Sequence, residues 1–410
     1  MWLNLTWLIL VLATANAVDW DPYLDIPFKP LKTSADRIRD HGYPAESHFV
    51  ETSDGYLLNV FRIPYSHKLN NANARRPVVY LQHGLFSCSD CFLLNGPDNA
   101  IAYLFADAGF DVWLGNGRGN IYSRNNTKMS LNSTNFWQFS WHEIGAIDLP
   151  DTIDYILEKT GEKQLHYVGH SQGGTSYFVL TSFRPEYNAK VRSAHLLAPA
   201  VFMGNTTHPL VHLFKPYVSV PGGSGMRLLG DQMFIPHNML AQRALDTACG
   251  GEPRFPEFCR TLFYTWAGTE ASNINATLLP YIAETHPAGI STNQGIHYIQ
   301  LHNSNFFRQY DHGVQKNRKV YAQAEPPNYQ LENVSADTYV YYGMSDTSVN
   351  WQDIQRLPEH ISSLKLLYKV PDESWGHIDF IFAMKVKETI NEQVINYCKQ
   401  YEIDGVIKEN

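Results

Sequence analysis

Apolar positions along this chain change period in a regular order. His48-Phe49-Val50-Glu51-Thr52 and Tyr56-Leu57-Leu58-Asn59-Val60 flank Asp54-Gly55, a dipeptide suited to a tight turn, so Tyr43 to Pro64 reads as a short hairpin. Pro77 to Gln82 forms a short apolar run ending in His83-Gly84-Leu85. A helix is expected over Ala100 to Ala108, a strand over Phe110 to Leu114 and a tight loop over Gly115 to Gly119. From His142 to Glu158 the apolar residues Ile144, Ile147, Ile153, Tyr155, Ile156 and Leu157 recur at helical spacing. Strands alternating with helices in this way predict an α/β fold, a mostly parallel sheet with helices on both faces.

The next segment carries chemistry. Gln164-Leu165-His166-Tyr167-Val168 reads as a buried strand, Gly169-His170-Ser171-Gln172-Gly173-Gly174 follows at once, and Thr175 to Ser182 suits a helix. Strand, sharp turn and helix around Gly-x-Ser-x-Gly are the parts of a nucleophile elbow. The turn cramps the Ser171 backbone, and Gly169 and Gly173 leave room for strand and helix to approach. Ser171 Oγ is then lifted above the sheet beside a helix N-terminus, which favours developing negative charge. A general base has to reach such a serine from another loop, so His170 is expected to pack or hydrogen-bond.

Two later loops supply that base and its partner. Thr338 to Tyr342 is a strand-forming run ending at Gly343-Met344-Ser345-Asp346, and Leu364 to Val370 leads through a polar loop to Trp375-Gly376-His377-Ile378-Asp379. The chain order Ser171, Asp346, His377 suits a triad on such an elbow, with both later residues just past strands. His377 takes the Ser171 proton and later activates water; Asp346 sets the imidazole tautomer and stabilises its cation. Asp353 and Asp379 are rival acids that less clearly end a strand.

Composition narrows the partners. With 44% hydrophobic and 18% charged residues among 410, the chain has ample material for a core. Its 32 basic and 40 acidic residues leave a formal charge of -8, which excludes the basic excess a nucleic-acid partner requires. Residues 1–17 hold no charged side chain, and Leu5 to Leu12 is apolar. Ala15 and Ala17 are placed for cleavage before Val18, the pattern of a secretory signal peptide. No later apolar run approaches the ~20 residues of a membrane span. On an exported chain the sequons at Asn125, Asn132, Asn205, Asn275 and Asn333 are candidate glycosylation sites.

Five cysteines, Cys88, Cys91, Cys249, Cys259 and Cys398, are too few to replace a core. Cys249 and Cys259 are spaced to close a short loop through Gly250 and Gly251. Cys88 and Cys91 are read as a local disulfide or as two separate thiols, since no second cysteine pair or redox context accompanies them. No paired zinc motif or phosphate-loop Lys-Ser/Thr signature occurs, so neither metal nor organic cofactor is expected.

An ordered series of segments resembles the acid lipase family of the α/β-hydrolases, the group of gastric and lysosomal acid lipases. It comprises Gly42-Tyr43-Pro44-Ala45-Glu46, Asp54-Gly55-Tyr56, Arg62-Ile63-Pro64, Leu81-Gln82-His83-Gly84-Leu85, Asp111-Val112-Trp113-Leu114-Gly115-Asn116, Arg118-Gly119-Asn120, the elbow, and Gly376-His377-Ile378-Asp379-Phe380. The resemblance implies the triad Ser171, Asp346 and His377, and an oxyanion hole built from the backbone N–H groups of Leu85 and Gln172. It also implies an α/β-hydrolase core over 18–199 and 336–410, interrupted by a cap and lid over about 200–335, with Cys249 and Cys259 as the cap disulfide. Leu210-Val211-His212-Leu213-Phe214, Phe258, Leu262, Phe263 and Trp266 are the apolar clusters of that cap.

Two departures from the family pattern stand out: the Cys88/Cys91 pair beyond Leu85, and Thr347-Ser348-Val349-Asn350 where Leu-Ala-Asp commonly follows the acid. The expectation is a serine lipase, secreted or lysosomal, hydrolysing triacylglycerol or cholesteryl ester at a lipid surface without spanning it. A carboxylesterase for small soluble esters and a catalytically silent lipid carrier are the alternatives.

Overall fold

The computed structural model describes residues 32–218, 232–234 and 273–408. The proposed signal segment, Cys249, Cys259 and the cluster from Phe258 to Trp266 lie outside the described residues.

Eight strands run across the central sheet in the order β1-β2-β4-β3-β6-β7-β10-β11, and a short ninth, β5 (Asn125–Asn126), pairs with β2. The hairpin is β1 (Glu46–Glu51) and β2 (Tyr56–Ile63), turned at Asp54-Gly55 with Gly55 at φ 95°. β2 also runs antiparallel to β4 (Asp111–Leu114). From there β3 (Val78–Gln82), β6 (Leu165–His170), β7 (Val191–Leu197), β10 (Thr338–Tyr342) and β11 (Leu364–Lys369) continue the sheet in parallel. Every residue of β3, β4, β6 and β10 is buried, whereas β1 alternates at its edge. That contrast is the mark of parallel strands covered on both faces beside an edge strand with one wet face.

One expected helix is divided. His142 to Glu158 comprises a short turn Trp141–Glu143, a π-turn Ile144–Asp148 and the α-helix Leu149–Thr160. Pro150 explains the break, because it has no N–H for the carbonyl of Ala146 and its ring crowds that carbonyl. Arg184 Nη1 approaches the same carbonyl at 3.5 Å. The π-turn brings Gly145 hard against the helix that follows the elbow: a Cβ there would sit 2.5 Å from Val179 Cβ and 2.7 Å from Ser176 O.

Between β7 and β10 the chain leaves the sheet to form a helical insertion. It includes helices Pro209–Val218, Leu279–Thr285, Thr292–Ser304 and Val314–Val320, with β8 (Met233–Phe234) paired antiparallel to β9 (Ile290–Ser291). Phe214 and Val218 pack with Ile296, Ile299 and Tyr310 in a small core separate from the main one. Polar contacts tie the insertion down: Gln294 Nε2 donates to Gln172 Oε1 at 3.1 Å, and Tyr298 Oη lies 3.0 Å from Thr175 Oγ1.

The reading of Cys88 and Cys91 as a local disulfide bond is corrected, while the Cys249–Cys259 pair lies outside the described residues. Among the described residues no two cysteines lie at bonding distance; Cys88, Cys91 and Cys398 are buried free thiols. Cys88 Sγ instead lies 3.6 Å from Asp90 Oδ2, while Cys91 packs into the main core.

Gly145→Ala should destabilise the fold by about 1–3 kcal/mol, since a packed helix backbone cannot yield as a side chain does. Urea unfolding measures it; an unchanged midpoint would contradict the close packing.

Candidate active site

Strand β6 ends at His170 and helix Gln172–Phe183 begins two residues later, leaving Ser171 to make the whole reversal at φ 53° and ψ -113°. A non-glycine residue there costs on the order of 1–3 kcal/mol and persists only where its surroundings over-determine it. They do so here. Ser171 N–H donates to Leu197 O at 2.9 Å, and Ser171 O accepts from Gly174 and Thr175 N–H at 2.9 and 3.1 Å. A Cβ at Gly169 would meet the Gly173 carbonyl carbon at 2.7 Å, and one at Gly173 would meet Gln82 O at 2.2 Å. The second glycine therefore admits the end of β3 as well as β6.

The three side chains expected to act together meet above the strand ends. Ser171 Oγ is 2.8 Å from His377 Nε2, and His377 Nδ1 is 2.7 Å from Asp346 Oδ2. Ser171 and His377 are each 8% exposed and Asp346 3%. Asp346 Oδ1 accepts from the N–H groups of Ser348 and Val349 at 2.9 and 2.8 Å. It thus caps its own turn while its other oxygen faces the imidazole. The departure Thr347-Ser348-Val349 supports the acid through backbone amides, which any non-proline residue there supplies.

The rival acids have other partners. Asp379 Oδ2 accepts from Gly376 N–H at 2.7 Å and Asn273 Nδ2 at 3.0 Å, bracing the loop that carries His377. Asp353 accepts from Asn205 N–H and Nδ2, both at 2.8 Å.

Two histidines beside the site were weakly legible or unassigned in sequence. His170 Nε2 donates to His377 O at 3.0 Å. His83 Nδ1 donates to Gly84 O at 2.8 Å, while its Nε2 accepts from Gly117 N–H at 3.0 Å and Asn120 Nδ2 at 3.1 Å. Burial lowers the pKa of His170 to about 3, with the neighbouring His377 imidazole adding to it; burial alone lowers His83 to about 4. Both rings are neutral spacers between loops. The signals for His83 are its place at the end of β3 and within the Leu81-Gln82-His83-Gly84-Leu85 segment of the family resemblance.

Leu85 follows that strand, and Gln172 is the first residue of its helix, where N–H groups have no intrahelical acceptor. Leu85 borders an apolar cavity of about 150 Å³. Two insertion helices contribute to its lining, through Leu210, Val211 and Phe214 on one and Gly295, Tyr298 and Ile299 on the other. Ile378, Ile381 and Phe382 line it too, and Ser171 and His377 border it.

Comparison with known proteins gives a consistent picture. The family profile described as alpha/beta hydrolase fold matches residues 77–383, and that of a partial alpha/beta-hydrolase lipase region matches residues 34–96. "Lipase 3" of Drosophila melanogaster is 40% identical over 374 residues, covering 91% of this chain and 94% of its own length. "Gastric triacylglycerol lipase" of Homo sapiens is 36% identical over 403 residues, covering 98% and 99%. Among solved structures, the alpha/beta hydrolase GrgF from Penicillium sp. sh18 aligns with a TM-score of 0.51 at 17% identity, over 86% of this chain and 98% of that one. At that identity the likeness is one of fold.

The neutral histidines carry a pH consequence. An unfolded histidine takes up its proton near pH 6.5, whereas folded His170 does so near 3. Between those values the unfolded chain binds more protons, so stability falls as pH falls. His170→Gln, which keeps a donor for His377 O, should flatten the decline between about pH 6.5 and 4. Denaturation midpoints across that range test this; parallel curves for the two proteins would overturn it.

Proposed function

The chain belongs to the lipase branch of the α/β-hydrolases, and from that premise we propose that it is a serine lipase cleaving neutral lipid esters through an acyl-enzyme. The observation that carries this reading is the continuous hydrogen-bonded line from Asp346 through His377 to Ser171, opening onto an apolar cavity.

In this reading Ser171 Oγ attacks the acyl carbonyl carbon as its proton passes to His377 Nε2. Asp346, on Nδ1, holds the ring in the productive tautomer and stabilises the imidazolium. The carbonyl oxygen gains negative charge as it becomes tetrahedral, and in this reading the N–H groups of Leu85 and Gln172 donate to it. His377 then protonates the leaving alcohol and the acyl-enzyme forms. Water, deprotonated by the same imidazole, attacks the acyl carbon and releases the fatty acid with Ser171 restored.

Apolar walls around Ser171 suit a fatty acyl chain, and the name of the human relative favours triacylglycerol as substrate; cholesteryl ester has the same acyl chemistry. We assign 18–199 and 336–410 to the core and 200–335 to the cap. Among the described residues no helix is long and apolar enough to cross a membrane, which is compatible with contact at a lipid surface. Passage through the secretory pathway is supported by the leader pattern and by the exposure of Asn125, Asn132, Asn205, Asn275 and Asn333.

Fatty-acid release from emulsified triolein, cholesteryl oleate and tributyrin, followed from pH 4 to 8, tests the proposal. Long-chain acid should be released by wild type and abolished in folded Ser171→Ala. Asp346→Asn, which presents the wrong tautomer to the serine, should lower kcat by about 10³–10⁴. Release confined to soluble short esters would indicate a carboxylesterase, and none from any ester would leave a lipid carrier.

A further inference from the structure

The loop that carries Leu85 is held from the insertion, by residues nearly two hundred positions away. Ser87 Oγ lies 2.9 Å from His286 Nε2. His286 Nδ1 is 3.0 Å from Thr285 Oγ1 and 3.3 Å from Ile282 O. A carbonyl only accepts, so the proton sits on Nδ1, and Nε2 accepts from the Ser87 hydroxyl. One residue earlier, Ala288 N–H donates to Phe86 O at 2.7 Å. Ser87 and His286 are 8% and 4% exposed, so neither bond competes freely with water.

These bonds bear on a turn that the local sequence disfavours. Gly84 O accepts from Ser87 N–H at 3.3 Å, enclosing Leu85 and Phe86 as the two central residues of a β-turn. Phe86 stands at φ 62°, at the position where a positive φ normally calls for glycine. A bulky side chain there costs on the order of 1–3 kcal/mol unless surrounding contacts impose it. Two hydrogen bonds from the insertion act on the residues directly after Leu85: Ala288 N–H on Phe86 O and His286 Nε2 with the Ser87 hydroxyl.

We propose that His286 is a positioning residue for the oxyanion loop, acting through Ser87 to hold the turn that aims the Leu85 N–H. This rests on the reading of Leu85 as an oxyanion donor. Neither His286 nor Ser87 belongs to the line of Asp346, His377 and Ser171. Loss of their bond lets the turn relax toward negative φ at Phe86 and moves the donor while leaving nucleophile and base in place.

The test uses the full-length protein, a soluble p-nitrophenyl ester and a p-nitrophenyl phosphonate whose phosphoryl oxygen needs the same donors. His286→Phe should lower kcat about tenfold, less than the 10²–10³ of deleting a donor outright, with KM within about twofold. Phosphonylation of Ser171 should slow by the same factor. Ser87→Ala should match it, and His286→Gln, whose amide oxygen can accept from Ser87, should recover most of the rate. In a Phe86→Gly background, where positive φ is free, His286→Phe should cost little further kcat. Circular dichroism checks folding, and if the His286 variants do not fold, Ser87→Ala decides.

Wild-type kcat in folded Ser87→Ala, a loss confined to KM, or an undiminished His286→Phe effect in the Phe86→Gly background would overturn the proposal. The underlying catalytic reading fails separately: hydrolysis surviving in Ser171→Ala would remove it whatever the other variants do.

Discussion

Everything at the strand ends depends on how closely helix Gln172–Phe183 approaches β3 and β6. A methyl group at Gly173 would lie 2.2 Å from the carbonyl oxygen of Gln82, and one at Gly169 would run into the Gly173 backbone. With both positions bare, the helix starts immediately above the strands and a single residue makes the turn. Ser171 takes the strained conformation as a consequence of that packing. Its hydroxyl is raised toward the cavity, and the first N–H groups of the helix remain beside it. A wider approach would allow a relaxed turn and lower the serine into the sheet.

Around that point hydrogen bonds tie one loop to the next. His83 links the end of β3 to the Gly117–Asn120 loop. His170 links the elbow to the backbone of His377. Asp379 and the amides of Ser348 and Val349 hold the two loops that carry His377 and Asp346. Buried neutral imidazoles can bridge such loops without the desolvation cost of a charge. The same choice makes the fold responsive to acid, because an unfolded chain can protonate those rings and the folded one resists.

Much of this was legible from residues alone. Alternating hairpin positions around Asp54-Gly55, continuous apolar runs in the inner strands and the glycine spacing about Ser171 all reflect local backbone chemistry, which a sequence records directly. The division of the helix after Trp141 was missed because apolar periodicity is blind to where Pro150 withholds its N–H. His286 and Ser87 carried no signal: nothing in the neighbourhood of either residue indicates that the other will face it. The spacing of Cys88 and Cys91 allowed a bond that the buried surroundings of the two thiols do not form.

The sequence by itself determined the order of elements, the elbow, and the candidates Ser171, Asp346 and His377, because strand periodicity, turn chemistry and residue type at strand ends are local properties. Only the tertiary structure decided which acid meets the imidazole, where the neutral histidines lie, and that the helical insertion grips the loop after β3. Those outcomes depend on distances between residues far apart in the chain. Such distances are set by the twist of the sheet and the packing of helices upon it, which no local pattern encodes.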